Sequence, residues 1–296
     1  MALADEFDGF LVDLDGVVWL GPEWVPGAAE ALQELIEAGK GIVFVTNNPG
    51  RAPAGYAERL REAGVAVGEE QVVTAGEATA RLAAEAAGPG GSVFVIGPAT
   101  LKKMVIQASE ASAVPFGRYG AKRNSGAVVV EGEAGREADV VLVAGHRGFD
   151  YEELLTAALA LQRGAALFAT SRDPTMPMPE GGWPGTGAVL AAVETASGAR
   201  ATIGGKPESP LFELALDRLN TLRCSLSRNS REKEQGSEEV GRVAMVGDRV
   251  SSDVVGGRRA GLETILVLSG ATSRTAAESA EPRPDHVVDD LAGLLR

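Results

Sequence analysis

Asp13-Leu14-Asp15-Gly16-Val17 closes the apolar run Phe10-Leu11-Val12, so two carboxylates sit two residues apart where a buried strand ends. Side chains two apart on a strand point the same way, and both acids therefore face one site. Folding alone does not ask for this. Like charges on one face repel, and ionised carboxylates resist burial unless they are paired or bound to a metal. An acidic turn is the plain alternative, because Asp-Gly is a common turn dipeptide. The rest of the chain decides between the two.

Outward from this stretch, β-branched runs alternate with Ala- and Leu-rich helical patterns. Phe10–Leu14 reads as a buried strand and Ala28–Ala38 as a helix with Leu32, Leu35 and Ile36 on one face. Pro26 suits the start of that helix and Gly39 its stop. Gly41–Thr46 is the next strand, followed by a helix near Ala54–Ala63 that ends at Gly64. Strand-helix-strand repeats of this spacing predict βαβ units and a parallel sheet. The rhythm returns with strands at Ala201–Ile203, Val243–Val246 and Thr264–Leu268 and helices at Pro210–Leu219 and Val254–Ala260.

A segment with its own alternation lies between. Its predicted strands are Ser92–Ile96, Ala127–Val130, Val140–Val143 and Ala166–Ala169, with helices near Ala99–Gln107 and Tyr151–Arg163. Gly88-Pro89-Gly90-Gly91 on one side and Gly181-Gly182-Trp183-Pro184-Gly185 on the other read as flexible junctions. The expectation is an α/β core built from 1–81 and 182–296, interrupted by a second α/β domain over 82–181. Residues 223–239 are polar and without periodicity, and read as a mobile surface loop.

With 296 residues, 45% of them hydrophobic and 23% charged, the chain has ordinary globular composition and material for two domains. A net charge of −13 argues against nonspecific binding to nucleic acid or to acidic membrane surfaces. It also means that an anionic substrate needs a local cation. The single cysteine, Cys224, excludes an internal disulfide and any CxxC metal site. The acidic start Met-Ala-Leu-Ala-Asp-Glu lacks the basic and apolar regions of a signal peptide. No apolar run approaches the about 18 residues that span a bilayer, so a cytoplasmic location is expected. Gly204-Gly205-Lys206-Pro207 lacks the upstream glycine and the Ser or Thr of a phosphate-binding Walker loop.

Four predicted core strands each run into a polar residue suited to phosphate chemistry. The first delivers Asp13 and Asp15, and the second Thr46, Asn47 and Asn48. The third, Ala201-Thr202-Ile203-Gly204-Gly205, delivers Lys206, and the fourth delivers Asp248, with Asp253 close behind. Ligands of open α/β sheets bind beyond the carboxyl ends of the strands. These parts suit metal-assisted phosphoryl transfer. One carboxylate attacks phosphorus and splits a hard displacement into two easier steps. Asp13 and Asp248 are hard oxygen ligands for Mg²⁺, and Asp253 can orient the metal's waters. Lys206 offsets repulsion between nucleophile and phosphate, and Thr46 bonds the phosphoryl oxygens. Asp15 protonates the leaving oxygen and later takes a proton from water.

These motifs, with Gly205-Lys206-Pro207, Gly247-Asp248-Arg249 and Ala260-Gly261-Leu262-Glu263-Thr264, resemble the haloacid dehalogenase superfamily of phosphatases. Within it the chain looks like the subfamily IIA group of NagD and 4-nitrophenyl phosphatase-like enzymes, over nearly its whole length. The resemblance implies a Rossmann-like doubly wound parallel-sheet core with an inserted α/β cap of type C2. It also implies Asp13 as nucleophile and metal ligand, and Asp15 as general acid/base that lends Mg²⁺ its backbone carbonyl. Thr46 and Asn47, with the adjoining Asn48, bind phosphate, Lys206 steadies Asp13 and the phosphoryl group, and Asp248 and Asp253 complete the metal site. A homodimer assembled through the cap is implied as well.

Two departures from the family pattern stand out: Ser171 where relatives often have Asn, and the polar stretch 223–239. Arg172 and Asp173 are candidate substrate contacts from the cap, with a salt bridge as the alternative. Met176, Met178 and Trp183 are candidate apolar walls, while His146 and His286 read as polar turn and surface residues. The expected activity is an Mg²⁺-dependent phosphatase acting on a small metabolite such as glycerol phosphate, phosphoglycolate, a sugar phosphate or a nucleotide. Its rival is a phosphotransferase or mutase using the same aspartyl-phosphate. A phosphoryl receiver has no use for Asp15, and a dehalogenase needs neither Asp15, Asp248 nor a metal.

Overall fold

A computed structural model describes residues 2–112, 126–178, 181–229 and 241–296. The chain divides into two compact units, the first made of 1–46, 53–73 and 206–296 and the second of 47–52 and 74–205.

The first unit is built on a six-stranded sheet. Its strands, numbered along the chain, are Gly9–Asp13, Gly41–Thr46, Val72–Thr74, Val243–Gly247, Glu263–Val267 and His286–Val288. They stand in the order 3-2-1-4-5-6, the doubly wound arrangement in which strand order reverses between the first strand and the fourth. Gly9 pairs with Val243 and Val12 with Val246 in parallel, so these two strands end side by side. Every residue of Gly9–Asp13, Gly41–Thr46 and Val243–Gly247 is buried, as strands covered on both faces require. Helix Ala28–Glu37 buries Leu32 and Leu35 in the core with Phe10 and Phe44. Each such side chain contributes about 1.5–3 kcal/mol relative to exposure.

The second unit has a five-stranded sheet in which Thr202–Ile203, Ala166–Ala169, Val140–Val143, Ser92–Ile96 and Val128–Val130 pair in parallel, in that order. Three features here correct the sequence reading. The strand Thr202–Ile203 lies at the edge of this sheet and not in the first unit's sheet, because it pairs with Phe168 and Ala169. The second unit is also wider than 82–181. Helix Ala75–Ala87, capped by Thr74 Oγ1 accepting from Glu77 N, packs Ala80 and Ala83 against Val93 and Leu101. Helix Thr186–Ser197 packs Val189, Leu190 and Val193 with Ile203. Finally, the glycines at 181–185 do not form a loose junction. Gly181–Pro184 pairs antiparallel with Thr175–Met178 as a hairpin.

The helix expected at Pro210–Leu219 runs over Ser209–Asn229, so the first part of the 223–239 stretch is helical and not loop. Its remainder, 230–239, falls outside the described residues.

Candidate active site

The order reversal puts the end of Gly9–Asp13 beside the end of Val243–Gly247, and this brings Asp13 and Asp248 together. Lys206 and Asp253 join them, and all four side chains are buried. Lys206 Nζ lies 2.7 Å from Asp13 Oδ1 and 2.7 Å from Asp253 Oδ1. Asp13 Oδ1 also accepts the Leu14 N–H at 2.8 Å. Asp253 Oδ2 accepts the Arg249 N–H at 3.0 Å, and Asp248 Oδ2 accepts the Ala271 N–H at 2.6 Å. Carboxylate oxygens of Asp13, Asp248 and Asp253 lie within 4.8 Å of one another.

The surroundings of Asp248 explain two glycines. Gly16 has φ 94°, in the left-handed region, and a Cβ there would collide with the Asp248 carboxylate. A Cβ on Gly270 would meet the same carboxylate.

Electrostatics follow from crowding in a dry site. Burial pushes the Asp13 carboxyl well above its ordinary range; Lys206 opposes the push, and Asp253 and Asp248 add to it. Burial and repulsion from Asp253 push Asp248 up to about 6. Burial works against the Lys206 ammonium, but Asp13 and Asp253 outweigh it and hold its pKa above the usual lysine value.

Three carboxylates against one ammonium leave an excess of buried negative charge, which calls for a further cation. Asp248 Oδ1 is buried and has no hydrogen-bond partner among the described residues. Clustered hard oxygen donors with one orphaned atom suit a divalent ion such as Mg²⁺.

Asp15 stands apart from the trio. Its Oδ1 accepts from Trp19 Nε1 at 3.1 Å and its Oδ2 from Thr46 Oγ1 at 3.4 Å. Two carboxylates that share a strand end are thus sorted into one beside the lysine and one beside a tryptophan and a threonine. Trp19 escaped the sequence reading. The only signal was an aromatic with a polar N–H four residues after Asp15, and it became meaningful once the Trp19–Leu20 and Glu23–Trp24 hairpin was known.

In the second unit, Asn47 Nδ2 donates to Asp173 Oδ2 at 3.1 Å, which joins two residues predicted independently. Asn48 Oδ1 accepts from Gly50 N at 3.0 Å in a local turn. The Arg172 guanidinium makes a two-pronged contact with Glu194, at 2.9 and 3.1 Å. Glu194 also accepts from Arg200 and from Ala201 N, and the Arg172 hydrogen bond, opposed by desolvation, holds its carboxyl down at about 2. Ser171 Oγ accepts from Asp173 N at 3.3 Å. His146 contacts Glu153 at 2.9 Å, and the Arg147 guanidinium lies 4.1 Å from the Trp183 ring centre.

A doubly wound sheet with a lysine-bridged aspartate cluster at its order reversal puts charged, oxygen-rich chemistry where open α/β sheets bind their ligands. Residues 10–109 match the family model for haloacid dehalogenase-like hydrolases, and residues 203–294 match that for HAD-hydrolase-like domains. Among curated relatives, the 5'-nucleotidase YutF of Bacillus subtilis is 31% identical over 96% of both chains. The D-glycerol 3-phosphate phosphatase of Mycobacterium tuberculosis is 32% identical over 99% of this chain and 72% of its own length. The crystal structure of a glycerol phosphate phosphatase from that organism, in complex with magnesium, superposes with TM-score 0.78. It is 30% identical and covers 99% of this chain and 78% of the other. The p-nitrophenyl phosphatase of Archaeoglobus fulgidus gives TM-score 0.79 at 30% identity over 98% of both chains. NagD of E. coli gives 0.76 at 27% over 97% of both. The chain belongs to the haloacid dehalogenase-like hydrolases, as a phosphoric monoester hydrolase of the NagD and p-nitrophenyl phosphatase-like group.

Proposed function

We propose that this enzyme releases inorganic phosphate from a small phosphorylated metabolite of the glycerol phosphate, phosphoglycolate, sugar phosphate or nucleotide kind, through an aspartyl-phosphate on Asp13. The observation that carries this is the contrast between Asp13, locked to Lys206 in the aspartate cluster, and Asp15, held outside it.

Lys206 and the Leu14 N–H both occupy Oδ1 of Asp13, which leaves Oδ2 to attack phosphorus. As the new O–P bond forms, the ester P–O bond breaks and its electron pair goes to the leaving oxygen. Asp15 gives that oxygen its proton. The Asp15 carboxylate then takes a proton from water, whose oxygen attacks phosphorus and returns the bond pair to Asp13. Lys206 opposes the burial that raises the Asp13 carboxyl and offsets the charge that collects on the phosphoryl oxygens. Thr46 and the adjoining Asn47 bond those oxygens. Asp13, Asp248 and the Asp15 backbone carbonyl would hold Mg²⁺, with Asp253 behind them; the ion supplies charge neutralisation and orients the phosphoryl group.

Within this range, the names of the relatives support a nucleotide, glycerol phosphate or sugar phosphate. The test is a screen of purified protein with Mg²⁺ against phosphorylated metabolites, read as phosphate released and ranked by kcat/KM. Release without an added alcohol acceptor supports hydrolysis. Turnover only when an acceptor is present would replace it with phosphotransfer.

A further inference from the structure

Asp15 has to present one particular oxygen to two reaction steps, and its grip on Trp19 bears on which oxygen that is. The Trp19 indole N–H is a donor only and sits 3.1 Å from Asp15 Oδ1. A carboxylic acid accepts best through its carbonyl oxygen, so this donor favours Oδ1 as the carbonyl of the acid form. The proton is then favoured on Oδ2, the oxygen that Thr46 Oγ1 contacts at 3.4 Å.

The indole itself is fixed on several sides. Its ring is buried, stacks on Tyr56 with centres 6.2 Å apart and planes 8° from parallel, and meets Trp24 edge-on at 5.4 Å. The Arg59 guanidinium lies 4.0 Å from the Trp19 ring centre, and its Nη2 donates to the carbonyls of Gly21 and Pro22 at 2.9 and 3.0 Å. Arg59 thus pins both the ring and the turn of the hairpin that carries it. The backbone closes the same arrangement: Gly16 N donates to Trp19 O at 2.7 Å and Trp19 N to Leu14 O at 3.2 Å. An aromatic cluster needed only for packing would not require a cation over its face or an N–H aimed at a carboxylate.

We infer that Trp19, braced by Arg59, is a positioning residue that fixes the Asp15 carboxyl so that Oδ2 carries the transferred proton. This rests on the reading of Asp15 as acid and base. Trp19 acts through Asp15, so its effect must follow the need of the leaving group for a proton. An alkoxide leaves poorly without one, whereas p-nitrophenolate leaves readily.

The experiment compares kcat/KM for glycerol 3-phosphate and p-nitrophenyl phosphate in the full chain with Mg²⁺, for wild type, Trp19→Phe, Arg59→Met and Asp15→Asn. Trp19→Phe keeps a ring but loses the N–H. General acid catalysis contributes about 10²–10⁴-fold, so misplacing the acid should cost the alkyl ester about 10–100-fold more than the aryl ester. Arg59→Met should shift the same ratio by a smaller factor in the same direction. A folded Trp19→Phe protein that slows both substrates equally overturns the inference, since a packing defect has no leaving-group preference. If Trp19→Phe shows no cooperative thermal transition, Arg59→Met decides, and an unchanged ratio there overturns it. Asp15→Asn separates the two levels. If that variant fails to discriminate between the esters, the acid role of Asp15 falls and takes the inference with it. If Asp15→Asn discriminates and Trp19→Phe does not, only the inference falls.

Discussion

Lys206→Met should destabilise the protein sharply, by an amount set by the charges that the ammonium now holds apart. Lys206 Nζ is 2.7 Å from an oxygen of Asp13 and from an oxygen of Asp253, and all three groups are buried. Methionine fills similar volume, so packing loss is minor and the effect is electrostatic. Two unit charges at the 4.8 Å limit of the aspartate cluster repel by about 3 kcal/mol at an effective dielectric constant of about 20. Removing one partner of a buried ion pair costs about 3–5 kcal/mol, which agrees with that figure. The expected loss of unfolding free energy is therefore about 3–5 kcal/mol in EDTA at about pH 7.5.

The pH dependence has a definite sign. Lys206, raised above its unfolded value, stays charged through neutral and acid pH, and its contribution fades only in strong alkali. The carboxyls of Asp13 and Asp248 are raised, so their ionisation costs stability as pH climbs, for Asp248 through the ordinary aspartate range and on to about 6. Acidification returns protons to them, to Asp248 below about 6, relieves the repulsion and narrows the gap between variant and wild type. Urea denaturation followed by circular dichroism, at neutral pH and below that midpoint, measures both effects. A neutral-pH loss below about 1 kcal/mol, or a gap that widens in acid, would refute this account of the cluster.

Three other outcomes are expected. Asp13→Asn should lower phosphate release at least about a thousandfold while the folded far-ultraviolet spectrum persists; an unchanged rate would remove Asp13 as the nucleophile. In the wild type, EDTA should abolish turnover and Mg²⁺ restore it. The apparent Mg²⁺ affinity should weaken as pH falls through about 6, where Asp248 gains its proton, and titration calorimetry across that range checks it. Glu194→Gln should cost about 1–2 kcal/mol near neutral pH, discounted because its arginine partners are half or more exposed. Glu194 is depressed to about 2, so its contribution holds above the ordinary glutamate value and fades as pH falls towards 2; a variant equally destabilised in strong acid would contradict this.

Much of the sheet was legible along the chain. Gly9–Asp13, Gly41–Thr46, Ser92–Ile96 and Val140–Val143 are fully or almost fully buried apolar runs, and such runs show themselves whatever surrounds them. Thr202–Ile203 was misassigned because two residues carry no mark of the sheet that they join; pairing with Phe168 and Ala169 decides it. The glycines at 181–185 suggested a hinge by composition, yet antiparallel partners at Thr175–Met178 make them a hairpin. Arg172 and Asp173, adjacent and both charged, read alike as candidate ligands. The fold sends one to Glu194 and the other to Asn47.

Phosphoryl chemistry was legible along the chain, because Asp13, Asp15, Thr46, Lys206, Asp248 and Asp253 follow strand ends in an order that ordinary loop polarity does not explain. The surroundings that tell the first two acids apart come from the fold. Both leave the same strand end with the same side chain. Reversal of strand order places Asp248 beside Asp13, Lys206 and Asp253 join them, and a hairpin places an indole N–H against Asp15. A carboxylate's role is set by the charges and donors within a few ångströms of it, and those neighbours come from as near along the chain as Trp19 and from as far as Asp253.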